Sequence, residues 1–260
     1  MNTDPLILTE IDARGVARLT LNRPERHNAL NAEMIIQIAE AVEGFNRVPA
    51  ARVMVLRANG KHFSAGADIS APAGGAEAKP DLIDALQILI AAPKPSLALV
   101  QGACIGGGAG WAAACDMVLA AEDAFFSIPE VRLGFPPGPL VSLFGAAMGT
   151  RAAYRYCLSG ERFSAAEALD MGLVHQVCPA GGLDAAAEPL IEGLLLGGPQ
   201  AQAATRAMLR EQSRWAVSEQ RLGEIREEST RRRHSAEASE GKASFREKRK
   251  PNWYRILADG

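Results

Sequence analysis

The strongest constraint on the fold is a segment in which an apolar run, a group of glycines and an alanine-rich stretch follow one another. Residues 97–100 are apolar, and residues 101–111 read QGACIGGGAGW. A short apolar run before a longer apolar stretch is typical of a buried β-strand followed by a buried helix. Glycine between them permits a positive φ and a close approach of the backbone to a ligand. The segment therefore predicts a turn whose backbone can line a binding site.

The glycine run does not fit the two familiar phosphate-binding motifs. A G-x-G-x-x-G motif that starts at Gly106 requires glycine at position 111, which is Trp111, and no strand with an acidic residue follows at the usual distance. A P-loop would need Gly-Lys-Ser or Gly-Lys-Thr after the glycines, and the sequence has neither. Nucleotide binding through either motif is therefore excluded.

Strands and helices alternate around this segment. Residues 6–11 and 16–21 alternate between apolar and polar side chains on either side of Arg14 and Gly15, which predicts a β-hairpin. Further strands are predicted at residues 53–56, 97–100, 117–121 and 173–177. Helices are predicted after the capping residue Asn31, at residues 81–92, up to residue 115, and at residues 151–158, 165–171, 183–196 and 199–212. The alternation in the first half indicates parallel β-α-β units and an α/β fold.

The composition excludes several functional classes. The net charge is −2, so the chain as a whole has no attraction for nucleic acid or for an anionic membrane. No apolar run approaches the ~20 residues that span a bilayer, and the N-terminus lacks the basic and apolar regions of a signal peptide. The four cysteines are scattered without metal-site spacing. We therefore expect a cytoplasmic protein with reduced cysteines, no metal and no redox cofactor.

Two further segments carry residues suited to chemistry. Residues 61–69, KHFSAGADI, place small residues where a strand ends, and such a turn can leave backbone N–H groups free to bind an oxyanion. Residues 125–138, FFSIPEVRLGFPPG, place Glu130 among apolar and turn residues. Partial burial would raise the pKa of this carboxyl group and suit it to proton transfer. From this segment alone, a surface pair of Glu130 with Arg132 is an alternative interpretation.

Together these segments resemble the enoyl-CoA hydratase/isomerase (crotonase) superfamily. The likeness extends to LNRPERHNAL at residues 21–30, SGERFSAAEA at 159–168 and EGKASFREKRKP at 240–251, in the family's order. The glycine run and the PEVRLG segment look most like the methylglutaconyl- and isohexenylglutaconyl-CoA hydratases. The resemblance implies an α/β crotonase fold, with a spiral of β-β-α units over residues 1–200 and a helical trimerisation and lid region over residues 201–260. It also implies homotrimers, or hexamers built from two trimers.

The resemblance assigns roles to individual residues. The N–H groups of Ala67 and Gly107 would form an oxyanion hole that binds a thioester oxygen while an enolate forms, and Glu130 would be the acid/base. Coenzyme A would enter as part of an acyl-CoA substrate, without a separate cofactor. The residues that match CoA-contacting positions of the family are Arg26, His27, Ala65, Asp68, Ile69, Phe245 and Lys248.

One position departs from the family's pattern. Hydratases with two glutamates carry the second one at the position of Gly110, which has no side chain. A hydratase that uses Glu130 alone, with water held by other groups, is the preferred interpretation. An enoyl-CoA isomerase, in which one carboxylate moves a proton between two carbons, is the alternative. A catalytically silent protein that binds acyl-CoA is a further alternative.

Overall fold

The computed structural model describes residues 5–69, 80–212 and 219–252 of the 260-residue chain. The strands in these ranges are β1 (Ile7–Ile11), β2 (Val16–Leu21), β3 (Val53–Ala58), β4 (Ser96–Val100), β5 (Ala103–Ile105), β6 (Met117–Ala121), β7 (Phe125–Ser127), β8 (Arg162–Ser164) and β9 (Gln176–Cys178). The helices are α1 (Ala32–Arg47), α2 (Leu82–Ala91), α3 (Gly107–Ala114), α4 (Leu140–Ser159), α5 (Ala165–Asp170), α6 (Leu183–Leu196), α7 (Pro199–Gln212), α8 (Glu219–Arg233) and α9 (Ala236–Arg246). Two 3₁₀ turns span Pro24–Arg26 and Glu130–Leu133. None of the helices in these ranges is long and apolar enough to cross a membrane.

Six strands form one sheet in the order β1-β2-β3-β4-β6-β9. β1 and β2 pair antiparallel and form the hairpin predicted around Arg14 and Gly15, whereas the other neighbours pair parallel. Parallel neighbours need a crossover connection. The helices α1, α2 and α3 lie in three of these connections, and the side chain of Asn31 caps α1 by accepting a hydrogen bond from the N–H of Met34 at 2.8 Å.

Helices cover both faces of this sheet. In β4, Leu97 and Leu99 pack against α6, whereas Ala98 and Val100 belong to the larger core that contains α1, α2 and α3. Successive residues of a strand point to opposite faces, so a central strand that is covered on both sides needs apolar residues throughout. This explains the continuous apolar run that precedes the glycines.

A second sheet of three short strands, in the order β5-β7-β8, carries the glycine run into the site. β5 begins three residues after β4 ends, and Gly102 in the link has a φ of +56°. A side chain at Gly102 would collide with the carbonyl oxygen of Lys61, so glycine is required there. Each strand of this sheet has only three residues. These strands are not predicted from the sequence, because runs of this length show no clear periodicity.

The strand predicted at residues 173–177 is wrong in its position, since β9 begins at Gln176. Gly172 has a φ of +87°, and Leu173 and Val174 are buried in a turn beneath α5. The N–H of Val174 donates to the carbonyl oxygen of Ala168 at 3.1 Å. These two apolar residues therefore fill the core without joining the sheet.

The helix predicted at residues 151–158 is the second part of the longer α4, which is interrupted at Gly149.

The C-terminal helices pack onto the sheet-and-helix core. Arg206 of α7 donates to the Asp116 carboxylate at 2.8 Å. α9 lies against the Glu130–Leu133 turn so closely that a Cβ on Gly241 would lie 2.5 Å from the carbonyl carbon of Leu133. The division of the chain at residue 200 stays a prediction, and residues 213–218 and 253–260 of its second part lie outside the described residues.

Candidate active site

The two glycine-bearing turns lie side by side. The N–H of Ser64 donates to the carbonyl oxygen of Ala103 at 3.0 Å, and the N–H of Ile105 donates to the carbonyl oxygen of Ser64 at 3.0 Å. This is a parallel bridge between Ser64 and Cys104. A Cβ on Gly66 would lie 2.8 Å from the carbonyl oxygen of Ile105, so the two segments stay in contact beyond the bridge. The bridge and this contact hold the two segments side by side as far as Gly106.

The backbone N–H groups of Ala67 and Gly107 have no acceptor among the described residues. Leu30 and Ala67 form a parallel β-bridge whose hydrogen bonds use the residues on either side of Ala67. The Leu30 N–H donates to the carbonyl oxygen of Gly66, and the Leu30 carbonyl oxygen accepts from the Asp68 N–H. Neighbouring residues of an extended chain direct their N–H groups to opposite sides, so the Ala67 N–H points away from Leu30. Gly107 is the first residue of α3, where N–H groups lack intrahelical partners. Both amides are therefore available to an acceptor on a ligand.

Asn28, which is not among the predicted site residues, fixes the loops around these amides. Its buried side-chain amide donates to the carbonyl oxygens of Asn59 at 2.9 Å and His62 at 2.8 Å, and its Oδ1 accepts from the N–H of Arg23 at 2.8 Å. The Ser64 hydroxyl donates to the Asn28 carbonyl at 2.8 Å. Asn28 has a φ of +53°. Asparagine is among the few residues that adopt this conformation readily. The asparagine in the LNRPERHNAL segment is therefore the sequence signal for this loop conformation.

Replacing Asn28 with alanine is expected to lower the free energy of unfolding by about 3 kcal/mol or more. The change leaves partly buried backbone groups of Arg23, Asn59 and His62 without this partner, and each such group costs ~1–3 kcal/mol. Urea unfolding monitored by circular dichroism measures the loss. Asn59→Ala is the matched control, because it removes one hydrogen bond, to the side chain of Asn22, and should cost about 1 kcal/mol or less. Equal losses in both variants would show that Asn28 does not hold the loops together.

Glu130 begins the 3₁₀ turn that follows β7, and its carboxyl group lies beside the glycine run. A Cβ on Gly106 would lie 2.6 Å from Glu130 Oε1, so only glycine leaves room for the carboxyl group there. Glu130 Oε2 is buried and has no hydrogen-bond partner among the described residues. Burial raises the pKa of Glu130 from 4.5 to about 7, against the opposing effects of its own N–H and the positive charge of Arg233. The alternative pair with Arg132 is not formed, because Arg132 Nε donates to the carbonyl oxygen of Ser159 at 2.8 Å.

Leucine side chains fill the space beside Gly110. A Cβ on Gly110 would lie 2.9 Å from Cδ2 of Leu140 and 3.7 Å from Cδ1 of Leu86, and both leucines are buried. Leu140 opens α4 directly after the proline-rich loop at residues 136–139. The described atoms nearest to a Cβ on Gly110 are therefore apolar side-chain carbons, and Glu130 is the carboxyl group that the structure places beside the glycine run.

Four of the predicted CoA-contacting residues come together at one edge of the site. Arg26 and His27 are exposed in the loop before α1, and the N–H of Ala65 donates to the carbonyl oxygen of His27 at 2.9 Å. The Asp68 carboxylate pairs with Arg23 of the same loop at 2.7 Å. The loop and the first glycine-bearing turn therefore form one surface, on which Arg26 supplies an accessible positive charge.

The remaining predicted contact residues lie further along the chain. Ile69 follows Asp68 and is exposed, in keeping with a place on the same surface. Phe245 is exposed near the end of α9, and Lys248 lies just beyond that helix. No hydrogen bond or ion pair among the described residues joins Phe245 or Lys248 to the Arg26 loop. The roles of these two positions stay predictions.

The sequence of this chain is similar to those of known proteins from one family. A sequence profile described as enoyl-CoA hydratase/isomerase matches residues 12–255. A protein of Thermus thermophilus named putative enoyl-CoA hydratase is 32% identical over 78% of this chain and 83% of its own length. A protein of Arabidopsis thaliana named peroxisomal Delta(3,5)-Delta(2,4)-dienoyl-CoA isomerase is 32% identical over 93% of both chains.

A solved structure shares the fold. The crystal structure of an enoyl-CoA hydratase from Mycobacterium avium subsp. paratuberculosis superposes with a TM-score of 0.87 at 31% identity, covering 96% of this chain and 99% of the other. The α/β fold predicted from the sequence, with its helical C-terminal region, is therefore confirmed.

Proposed function

Because this chain belongs to the enoyl-CoA hydratase/isomerase family, we propose that it adds water to the double bond of a 2-enoyl-CoA thioester, with Glu130 as its acid/base. The observation that carries this proposal is the Glu130 carboxyl group. It is partly buried beside Gly106, one of its oxygens has no partner among the described residues, and its pKa is about 7. A group with this pKa is present in both protonation states near neutral pH and can accept and return a proton in one turnover.

The N–H groups of Ala67 and Gly107 bind the thioester oxygen in this proposal. Attack at C3 moves charge onto that oxygen, and donors already in place stabilise it without reorganising. The support is that neither N–H has an acceptor among the described residues, and that the Ser64–Cys104 bridge aligns the two segments. Gly107 adds the positive end of the α3 dipole.

One carboxyl group is sufficient for the whole addition. The Glu130 carboxylate takes a proton from water as the water oxygen forms its bond to C3, and the C2–C3 π electrons move into the enolate of the thioester. The protonated Glu130 then gives this proton to C2, and the thioester carbonyl is restored. The product is a 3-hydroxyacyl-CoA, and Glu130 is again ionised.

A second candidate is the isomerisation of a 3-enoyl-CoA to a 2-enoyl-CoA. The observation that favours it is the apolar packing at Gly110, where side-chain carbons of Leu140 and Leu86 lie closest to the position that a second glutamate would take. In this reaction Glu130 removes a proton from C2 and returns it to C4, while the same two N–H groups stabilise the dienolate.

Turnover in ¹⁸O-labelled water separates the two reactions. The protein is incubated with 2-enoyl-CoAs and 3-enoyl-CoAs, and the products are analysed by mass spectrometry. Hydration places one ¹⁸O in the acyl chain, whereas isomerisation moves the double bond without a label. Binding of saturated acyl-CoA without turnover of any enoyl-CoA would overturn both enzyme proposals and support a silent binding protein.

The value of kcat/KM is expected to fall tenfold per pH unit below about pH 7. Either reaction begins with the ionised form of Glu130, and burial raises the pKa of this carboxyl to about 7. Initial rates between pH 5 and 8.5 at low substrate concentration measure the profile. A plateau of kcat/KM that extends down to pH 5 would show that Glu130 ionises at its ordinary pKa, and would contradict the effect of burial on this pKa.

The proposal also covers the kind of hydratase that this chain resembles and the residues that bind CoA. The glycine run and the segment after Glu130 support a place near the methylglutaconyl- and isohexenylglutaconyl-CoA hydratases. We place CoA along Arg26, His27, Ala65, Asp68 and Ile69, with Phe245 and Lys248 closing over it.

A homotrimer or a hexamer would cover apolar side chains that are exposed on one face of α4 in the single chain, namely Tyr154 and Leu158. Light scattering after gel filtration measures the assembly.

A further inference from the structure

One face of α8 is turned towards the site. Arg226, Ser229 and Arg233 are spaced by three and four residues and therefore lie on the same side of the helix. Arg226 pairs with the Asp84 carboxylate at 2.9 Å. Ser229 is buried, and a Cβ on Gly138 would lie 2.8 Å from its hydroxyl oxygen. This face of α8 thus packs against the start of α2 and against the loop that follows Glu130.

Arg233 lies two turns after Arg226 on this face, but it has no carboxylate within 4 Å among the described residues. Its Cζ lies 5.1 Å from the centre of the Phe135 ring, and the Phe135 N–H donates to the carbonyl oxygen of Glu130 at 3.3 Å. Arg233 remains accessible to solvent. The protein around it nevertheless lowers the pKa of its guanidinium through desolvation. Its guanidinium is therefore accessible to a ligand and close to protein atoms at the same time.

A second positive charge lies next to Arg233. Lys242 Nζ is 5.8 Å from the centre of the same Phe135 ring and donates to the backbone carbonyl of Arg233 at 3.2 Å. Two described acids act on the charge of Arg233, namely Glu130 and Asp81. The pKa of about 7 leaves Glu130 only partly ionised at neutral pH. Arg233 and Lys242 thus place two cations at one aromatic ring. A partly desolvated cation that forms no ion pair with a described carboxylate favours an anionic ligand.

The position of Arg233 indicates which part of a ligand it meets. The surface proposed to bind CoA is formed by Arg26, His27 and Asp68, whereas Arg233 is connected through Phe135 to Glu130, where the acyl group would react. We infer that Arg233 is a specificity-determining residue that binds a carboxylate at the far end of the acyl chain. This inference rests on the proposed function, because it assumes that the acyl group of a CoA thioester lies against Glu130. Guanidinium and carboxylate match as a two-point hydrogen-bonded pair.

The experiment compares acyl-CoAs that differ only in the terminal charge. The probes are 2-enoyl-CoAs with five to seven acyl carbons that end in a carboxylate, together with their methyl esters. The wild-type protein is expected to show a kcat/KM about 10- to 100-fold higher for the carboxylate of the best pair, which is the range for a hydrogen bond to a charged group. Arg233→Met keeps the stem that packs on Phe135 and should abolish this preference, and Arg233→Lys should keep part of it.

Arg232→Met is the matched control on the same helix. Arg232 is exposed and donates to Glu228 at 2.9 Å, so its loss should leave the carboxylate preference unchanged. An equal loss of kcat/KM for the carboxylate and the ester in Arg233→Met would overturn the inference. That result would assign Arg233 to CoA binding, to folding or to the pKa of Glu130.

Binding of unreactive analogues keeps the inference testable if the proposed function fails. Calorimetric titration compares saturated acyl-CoAs that end in a carboxylate with their methyl esters, in wild type and in Arg233→Met. Tighter binding of the carboxylate in wild type alone would support the inference even without turnover. Equal affinities in wild type would overturn it, whether or not any enoyl-CoA is turned over.

Discussion

Replacing Glu130 with glutamine is expected to lower kcat about 10³-fold or more. Glutamine keeps the size of the side chain but can neither accept nor return a proton, and general acid–base catalysis typically contributes ~10²–10⁴ in rate. The loss should fall on kcat, with little change in KM, because CoA binding is proposed to use other residues. Steady-state rates with the best enoyl-CoA at pH 8 measure the effect. Near-normal turnover in this variant would remove Glu130 from its proposed role.

The same variant is expected to be more stable than wild type at high pH, which separates loss of chemistry from loss of fold. Burial raises the pKa of Glu130 in the folded protein to about 7 from 4.5. The folded state therefore holds this proton more tightly than the unfolded state, and stability falls as pH rises between these two values. Glutamine does not ionise, so Glu130→Gln should gain roughly 2 kcal/mol more at pH 8 than at pH 5. Urea unfolding at the two pH values measures this difference.

Replacing Gly107 with proline is expected to lower kcat about 10²–10³-fold relative to Gly107→Ala. Proline removes the backbone N–H, and loss of one oxyanion donor typically costs this factor. Proline is tolerated at the first position of a helix, since the N–H there has no intrahelical partner. Gly107→Ala keeps the N–H and introduces a Cβ in the same place, where it meets the flexible ends of Leu82 at 3.0 Å and Leu30 at 3.2 Å.

The comparison of these two variants isolates the N–H from the added carbon. Both should show similar urea unfolding, because the change lies at the end of α3 and in contact with side-chain tips. If Gly107→Pro and Gly107→Ala lose the same amount of activity, the Gly107 N–H does not stabilise the reacting oxygen. A loss confined to KM would indicate that the proline ring obstructs binding.

The periodicity of the sequence predicted the main sheet well. The hairpin around Arg14 and Gly15, the cap at Asn31 and the bounds of α6 and α7 are confirmed. Local patterns succeed there because each element carries enough residues to show its period. They fail for the three-residue strands β5, β7 and β8 and for the buried turn at Leu173, where burial without regular structure determines the residue type.

The candidate site was predicted in its residue types but not in its surroundings. The glycine run and Glu130 were identified along the chain, and the structure places them in contact. The support by Asn28 and the place of Arg233 beside Phe135 could not be predicted, because Asn59 lies 31 residues from Asn28 and Phe135 almost 100 residues from Arg233. Such contacts depend on how the turns pack, which a linear pattern does not contain.

The sequence alone determined the hairpin, most of the longer strands and helices, and that one glutamate lies among apolar residues, because these properties depend on the local chain. Only the tertiary structure decided that the Ala67 and Gly107 segments run side by side, that Leu140 and Leu86 fill the space beside Gly110, and that burial raises the pKa of Glu130. The physical reason is that desolvation and alignment depend on distances between residues that are far apart along the chain.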